Sequence, residues 1–292
     1  MLPLTDEQWL KVIRAALAED VGTGDVTTQA CIPADARLVV QMVARESLVV
    51  SGMRAVELTF LELDPAMQFR RGVADGTRVS NKGVLLEIEG SARAILTAER
   101  VALNILQRLS GVATATARFV DMIRGTQAKI LDTRKTTPGL RLLEKYAVLC
   151  GGGVNHRIGL YDQVLIKDNH LAALAHEQPN AVAASIDRAR TQFPTLKVEV
   201  EADTLEQVQQ AAEAKADIVL LDNMAPALLK AAVQIIAGRC VTEASGGVNL
   251  ETVRAIAESG VDFISIGAIT HSARAVDIGL DFVSGTGAVS AR

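Results

Sequence analysis

From residue 129 onward, short β-rich runs alternate with helical stretches, and this recurrence constrains the fold more than any other feature of the chain. The runs occupy 129–133, 164–167, 197–201, 218–221, 241–244 and 263–266, with helical patterns at 138–149, 205–214, 225–236 and 250–259. Strands separated by helices are joined by crossovers and lie parallel. About six such units predict an α/β barrel. The preceding segment has a different texture. It opens on an amphipathic helix, with Thr5 as N-cap before Asp6 and Glu7 and with Leu10, Ile13, Ala16 and Leu17 on one face. Strand patterns in "RLVVQMVARESLVVSG" and "GVLLEIEG" flank a helix near 53–63, and a long helix follows over 92–122, with Gly111 a candidate break. This first part reads as α+β, so the chain as a whole is an α/β protein.

Polar residues gather where the predicted strands end. The first strand ends in Thr133, Arg134 and Lys135; the next ends in Lys167, Asp168 and Asn169. Glu199 and Glu201, Asp222 and Asn223, Glu243 to Gly247, and Gly267 follow on the later ones. The C-terminal ends of parallel barrel strands converge on one rim, where active sites are built. Solvated loop chemistry accounts for one such residue and poorly for six strand ends.

Three groupings carry chemistry. In "SGGVN", Ser245, Gly246 and Gly247 follow a strand and open a predicted helix, an arrangement that lets backbone N–H groups approach an anion. "SIGA", with Ser265 and Gly267, ends the next strand in the same way, and two neighbouring late units of this kind suggest a phosphate site. In "KVEVEAD", period two places Lys197, Glu199 and Glu201 on one strand face, so the charges need partners or a ligand, with Asp222 next to them. These carboxylates suit Mg²⁺ or sugar hydroxyls; the competing reading is an ion-pair cluster with Lys167 and Lys197. Between Thr133 and His170 there are six Lys or Arg against three Asp or Glu. Arg134, Lys135, Arg157, Lys167 and His156 therefore suggest a ligand carrying several negative charges. The histidine spacing fits no zinc motif. Arg100 and Arg108 lie on a helix that is apolar nearly all round, and both are candidates to reach a site; Arg141 has no assigned partner.

Composition narrows the classes of function. The formal net charge is -4 and no basic stripe dominates, which argues against nucleic acid as a partner. No run of 18 apolar residues and no signal-type segment is present, so no membrane role and a cytoplasmic location are expected. Cys31, Cys150 and Cys240 are dispersed and read as buried thiols of a reducing compartment. The end, "SGTGAVSAR", is small and polar and is expected to fray.

Taken together, "DTRKTTPGLRLLEKYAV", "GGGVNHRIGLYDQVLIKDNH", "VEVEADTLEQ", "LLDNM" and "EASGGVN" resemble the quinolinate phosphoribosyltransferases. "EDVGTGDVTT" and "ERVALNILQRLSGVAT" extend the resemblance over most of the chain. The resemblance implies an N-terminal α/β sandwich domain over 1–110, joined by 273–292, and an incomplete, open α/β barrel over 111–272. It implies phosphoribosyl transfer from phosphoribosyl pyrophosphate to quinolinate with decarboxylation, giving nicotinate mononucleotide, pyrophosphate and CO₂. It also implies Mg²⁺ with no tightly bound organic cofactor, and a homodimer or higher oligomer whose sites are completed by the other subunit. By resemblance, Thr133, Arg134, His156, Arg157 and Lys167, with Arg100 from the partner, hold quinolinate, and Lys135 meets the departing pyrophosphate. Glu201 and Asp222 would hold the ribose hydroxyls and metal; Ser245, Gly246, Gly247, Ser265 and Gly267 would bind phosphate. A non-catalytic phosphometabolite-binding barrel and a transferase for a different base are the alternatives.

Overall fold

The computed structural model describes residues 4–283; the "SGTGAVSAR" end, expected to fray, lies wholly outside them. By its contacts the chain divides into two compact units. One comprises the residues up to Ala117, Thr137–Gly152 and the segment from Ser272; the other comprises Arg118–Thr136 and Gly153–His271.

Helix α1 (Asp6–Val21) begins at a capping box in which Thr5 and Gln8 satisfy each other's backbone N–H groups. Its buried stripe is Trp9, Ile13 and Leu17, while Leu10 and Ala16, expected on that face, are only half-buried. Then come α2 (Val26–Cys31), β1 (Arg37–Ala44), β2 (Leu48–Val49), α3 (Met53–Leu61), β3 (Gln68–Arg71), β4 (Arg78–Val79), β5 (Val84–Ser91) and α4 (Ala92–Met122). The second unit starts its sheet with β6 (Lys129–Leu131), after which α5 (Arg141–Cys150) returns to the first. Alternation then proceeds through β7 (Val164–Ile166), α6 (Asp168–Ala173), α7 (Ala181–Gln192), β8 (Val198–Ala202), α8 (Leu205–Glu213), β9 (Ile218–Asp222) and α9 (Pro226–Ile236). It ends with β10 (Val241–Ser245), α10 (Val253–Ala257), β11 (Phe263–Ser265), α11 (Ala268–His271) and β12 (Ile278–Phe282).

In the first unit, β12, β1, β5 and β3 form an antiparallel sheet in that order. Val40 and Met42 of β1, Leu86 and Ile88 of β5, and Ile278 of β12 pack with Phe60 of α3 and Ile95 and Leu106 of α4. Helix α5 is tied in by polar contacts. Glu144, fully buried, accepts from Arg108 Nε at 3.0 Å and from Nη2 at 2.7 Å. Arg108 also donates to the Ala273 carbonyl, so its guanidinium serves the architecture of this unit. Tyr146 donates to Asp75 at 2.8 Å, with Trp9 edge-on against its ring. Of the cysteines, Cys150 and Cys240 are buried, but Cys31 at the end of α2 is exposed, contrary to the expectation for all three.

Gly111 does not interrupt α4, which runs unbroken from Ala92 to Met122. The glycine answers a different need: a Cβ there would sit 2.1 Å from the Arg274 carbonyl oxygen. A backbone segment lies directly against the helix at this point, and only a hydrogen leaves it room.

In the second unit, six parallel strands lie side by side in the order β6-β11-β10-β9-β8-β7 among the described residues. Successive strands are neighbours, and β6 closes back onto β11 at the far side. Among the described residues β6 and β7 do not pair, and Leu131 of β6 instead makes an isolated parallel bridge to Val154, in the segment before β7. The architecture is an incomplete α/β barrel. Val198, Val200 and Ala202 of β8 and Val219 and Leu221 of β9 are buried. So are the helix residues Val208, Ala211, Leu229 and Ala232. The alternate positions, Glu199, Glu201, Asp222, Glu243 and Ser245, occupy the opposite faces of the strands.

Gly111→Ala should lower the stability of the protein by about 1–3 kcal/mol, the usual cost of overpacking. The urea midpoint should fall with an unchanged slope. An unaltered midpoint would mean that the segment at Arg274 yields freely.

Candidate active site

At the C-terminal ends of the barrel strands lies a cavity of about 810 Å³, contained wholly within the second unit. Thr133, Arg134 and Lys135 line it from the end of β6, and His156 and Arg157 from the segment before β7. Lys167, Glu201 and Asp222 come from the ends of β7, β8 and β9. Ser245, Gly246 and Gly247 follow β10, and Ser265 and Gly267 belong to β11 and the turn after it. Thirteen of the fourteen residues expected at a site thus converge on one cavity. The exception is Arg100, exposed on α4 of the first unit and not among the lining residues. Arg141, the first residue of α5, does not line it either.

The loop after β6 is held by Asp132, fully buried, which accepts from Asn155 Nδ2 at 2.6 Å and from the His156 backbone N–H at 2.9 Å. Thr133 Oγ1 accepts the Lys135 N–H at 3.0 Å, and the Lys135 carbonyl accepts from Thr270 at 2.8 Å. The backbone that presents the two cations is thereby anchored from both sides. Arg157 donates from Nη1 to the Gln163 carbonyl at 3.1 Å. Burial, then the facing charge of Arg134, pulls the Arg157 guanidinium below its ordinary value. Two guanidiniums that disfavour each other in a half-buried wall form a site for a planar anion.

Acidic groups occupy the opposite part of the cavity. Lys167 Nζ lies 2.8 Å from Glu201 Oε2, so the ion pair expected as the competing reading is present, although Lys197 is exposed and precedes β8. Burial and the neighbouring Glu201 raise the Asp222 carboxyl above the ordinary aspartate range. Two neighbouring carboxylates, hard oxygen donors at a cavity wall, fit a divalent cation such as Mg²⁺.

The phosphate side differs from the expectation in one respect. Helix α10 does not begin at Gly247 but at Val253, and it is a short helix. Asn249 intervenes, its Oδ1 accepting from the Glu251 and Thr252 N–H groups at 2.9 Å. These bonds satisfy the chain locally and delay the helix. What remains is the glycine turn itself, with φ of +90° at Gly246 and +59° at Gly247, a conformation that turns backbone N–H groups outward. A Cβ on Gly246 would lie 2.1 Å from Asn223 Oδ1. Opposite, a Cβ on Gly267 would meet Lys135 Cδ at 3.0 Å and His271 Cδ2 at 3.1 Å, so this glycine makes room for a lysine and a histidine at the same wall.

His271 and Asn223 line the cavity without any role legible beforehand, and no spacing in the sequence marks His271. Glu243, recognisable only as a polar strand residue, joins a buried cluster. His156 Nε2 lies 3.1 Å from Glu199 Oε2 and 3.6 Å from Glu243 Oε2. Gln163 donates to the same Glu199 oxygen at 2.5 Å. Burial and the charge of Glu199 push the Glu243 carboxyl up to about 8.

Among the described residues, no helix is long and apolar enough to cross a membrane. Residues 25–110 match the N-terminal domain model, and residues 112–281 the C-terminal domain model, of quinolinate phosphoribosyl transferase. The chain is 45% identical over 275 residues to the nicotinate-nucleotide pyrophosphorylase [carboxylating] of Mycobacterium leprae, covering 92% of this chain and 95% of that one. A probable enzyme of the same name from Bacillus subtilis is 40% identical, covering 94% and 93%. The solved nicotinate-nucleotide pyrophosphorylase of Francisella tularensis superposes with a TM-score of 0.90 at 40% identity, over 96% of this chain and 98% of that one. With both domain models matched in order and relatives of this identity along nearly the whole length, the chain belongs to the quinolinate phosphoribosyltransferase family.

Proposed function

We propose that this protein transfers the phosphoribosyl group of phosphoribosyl pyrophosphate to quinolinate and decarboxylates the product. The outcome is nicotinate mononucleotide, pyrophosphate and CO₂, a step of NAD biosynthesis. The observation that carries the reading is the cavity itself, which sets a cationic wall, a pair of carboxylates and a glycine turn around one space. A pyridine dicarboxylate, a ribose and a phosphate call for those three environments.

Arg134, Arg157, His156 and Lys167, with Thr133, hold the two carboxylates of quinolinate and aim its ring nitrogen at the anomeric carbon of the ribose. As pyrophosphate departs, positive charge develops on that carbon, and Glu201 and Asp222 favour it electrostatically while accepting the ribose hydroxyls. Mg²⁺ held near Glu201 and Asp222 would neutralise part of the pyrophosphate charge. Lys135 receives the leaving pyrophosphate. Ser245, Gly246, Gly247, Ser265 and Gly267 hold the 5′-phosphate, with His271 beside Gly267 as a further donor. Arg100, exposed on its helix, acts in the site of the partner within a homodimer. The protein works in the cytoplasm and carries no tightly bound organic cofactor.

Incubation with quinolinate, phosphoribosyl pyrophosphate and Mg²⁺ should release CO₂ and nicotinate mononucleotide, whereas nicotinate in place of quinolinate should give no product. Turnover of nicotinate instead would establish a transferase for a different base, and binding of both substrates without CO₂ would establish a sensor. Lys135→Ala should lower kcat by about 100-fold or more while leaving quinolinate binding within roughly 3-fold, as expected for a group that acts on the leaving group. Equal losses in kcat and in quinolinate affinity would remove Lys135 from that role.

A further inference from the structure

Decarboxylation poses a need that the substrate-holding residues do not meet. When the bond between ring carbon C2 and its carboxylate breaks, CO₂ departs and the electron pair stays on C2, beside the positively charged ring nitrogen. The product carries hydrogen at C2, so a proton must be delivered there. We propose that Glu243 is the acid that delivers it, a role that rests on the quinolinate reading above.

Glu243 sits on β10 two residues before Ser245, on the same face of the strand, and it lines the cavity although only 1% of its surface is exposed. Its Oε1 is buried and has no hydrogen-bond partner among the described residues. An acid placed in the wall and leaving one oxygen unsatisfied has a position from which to meet a ligand. Glu199 also lies in this cluster, and its Oε1 is likewise buried without a partner, but Glu199 does not line the cavity. Its Oε2 receives Gln163 at 2.5 Å and faces His156 Nε2 at 3.1 Å, whereas Glu243 lies at 3.6 Å from the same nitrogen. The charge of Glu199 favours the protonated form of Glu243.

The groups that face Glu243 come from several elements. Glu199 on β8 and Asp132 after β6 raise its proton affinity, as burial does; His156 and the Ser265 hydroxyl on β11 lower it. The balance leaves the carboxyl protonated near neutral pH. The other candidates are engaged. His156 Nδ1 accepts the Arg157 N–H at 2.7 Å, and its Nε2 faces the two carboxylates. Lys167 is paired with Glu201, and Asp222 stands with Glu201 at the ribose side.

The step balances. The C2–carboxylate bond breaks and its pair remains on C2; the Glu243 O–H bond breaks and the C2–H bond forms. The substrate loses one negative charge as neutral CO₂ and Glu243 gains one, so the net charge of the cavity is unchanged. Water restores the proton on Glu243 once the product has left.

The test compares pyrophosphate and CO₂ release in one reaction. Glu243→Gln keeps the shape but cannot give up a proton. CO₂ release should fall about 100-fold further than pyrophosphate release, the low end of a general-acid contribution. The phosphoribosylated, still carboxylated quinolinate should accumulate. Equal falls in both rates, or no fall in CO₂ release, would overturn the assignment. Should that variant fail to fold, the native protein supplies the same comparison as a pH series. CO₂ release should decline relative to pyrophosphate release as pH rises through about 8, the value to which Glu243 is raised. Glu199→Gln, by removing the neighbouring charge, should move that decline to lower pH. A ratio independent of pH in both proteins would equally overturn the proposal. A native protein that releases no pyrophosphate from these substrates would instead sink the quinolinate reading itself.

Discussion

The second unit depends on the pleat of its parallel strands. On β8 the alternation of Val198, Val200 and Ala202 with Glu199 and Glu201 puts aliphatic side chains on one face and carboxylates on the other. β9 and β10 repeat the arrangement, with Val219, Leu221 and Ala244 on one set of positions and Asp222, Glu243 and Ser245 on the other. Parallel sheets bury both faces, and aliphatic side chains usually fill both. Here one face is apolar and holds the barrel together, while the other is charged and obliges the chain to bring cations to it. A shift of one residue in register would exchange the two sets and leave carboxylates among the helices.

The cations come from the part of the barrel that lacks a continuous ladder. Arg134 and Lys135 follow β6, His156 and Arg157 precede β7, and an isolated bridge from Leu131 to Val154 stands where a strand pairing would close the barrel. Asp132, buried at the end of β6, grips the His156 backbone and Asn155 and thereby replaces the ladder with side-chain hydrogen bonds. Imperfect neutralisation follows from this layout. Arg157 is pulled down by burial and Arg134, Asp222 is pushed up by burial and Glu201, and Glu243 is pushed up by burial and Glu199. Like charges are thus held near one another on each side of the cavity, and a ligand of mixed charge relieves both sides at once. Such strain in charge, maintained by a rigid barrel, is the preorganisation that favours a transition state with separated charges.

Glycine serves different ends in the two units. Gly111 lets a neighbouring backbone lie against a continuous helix, a packing requirement that from sequence resembles a helix break. Gly246 and Gly267 clear space at the cavity wall, for Asn223 in one case and for Lys135 and His271 in the other. The same residue type therefore reads as punctuation in one place and as spacing in another, and only the atoms around it tell which.

The sequence by itself determined the alternation of strand and helix, hence the parallel barrel, because periodicity and crossover length are local properties of the chain. It also determined which side chains stand at the strand ends, and so most of the lining residues, since period two and the rim of a parallel barrel leave little freedom. The tertiary structure alone decided what those residues meet. Arg108 turns to Glu144 rather than to a ligand, His271 reaches the cavity from the end of α11 with no motif to mark it, and α10 starts late because Asn249 satisfies the chain first. Above all it set Glu243 beside Glu199 and His156 and away from water. The proton affinity of a carboxyl depends on burial and on charges brought from distant strands, and neither is written in the residues next to it.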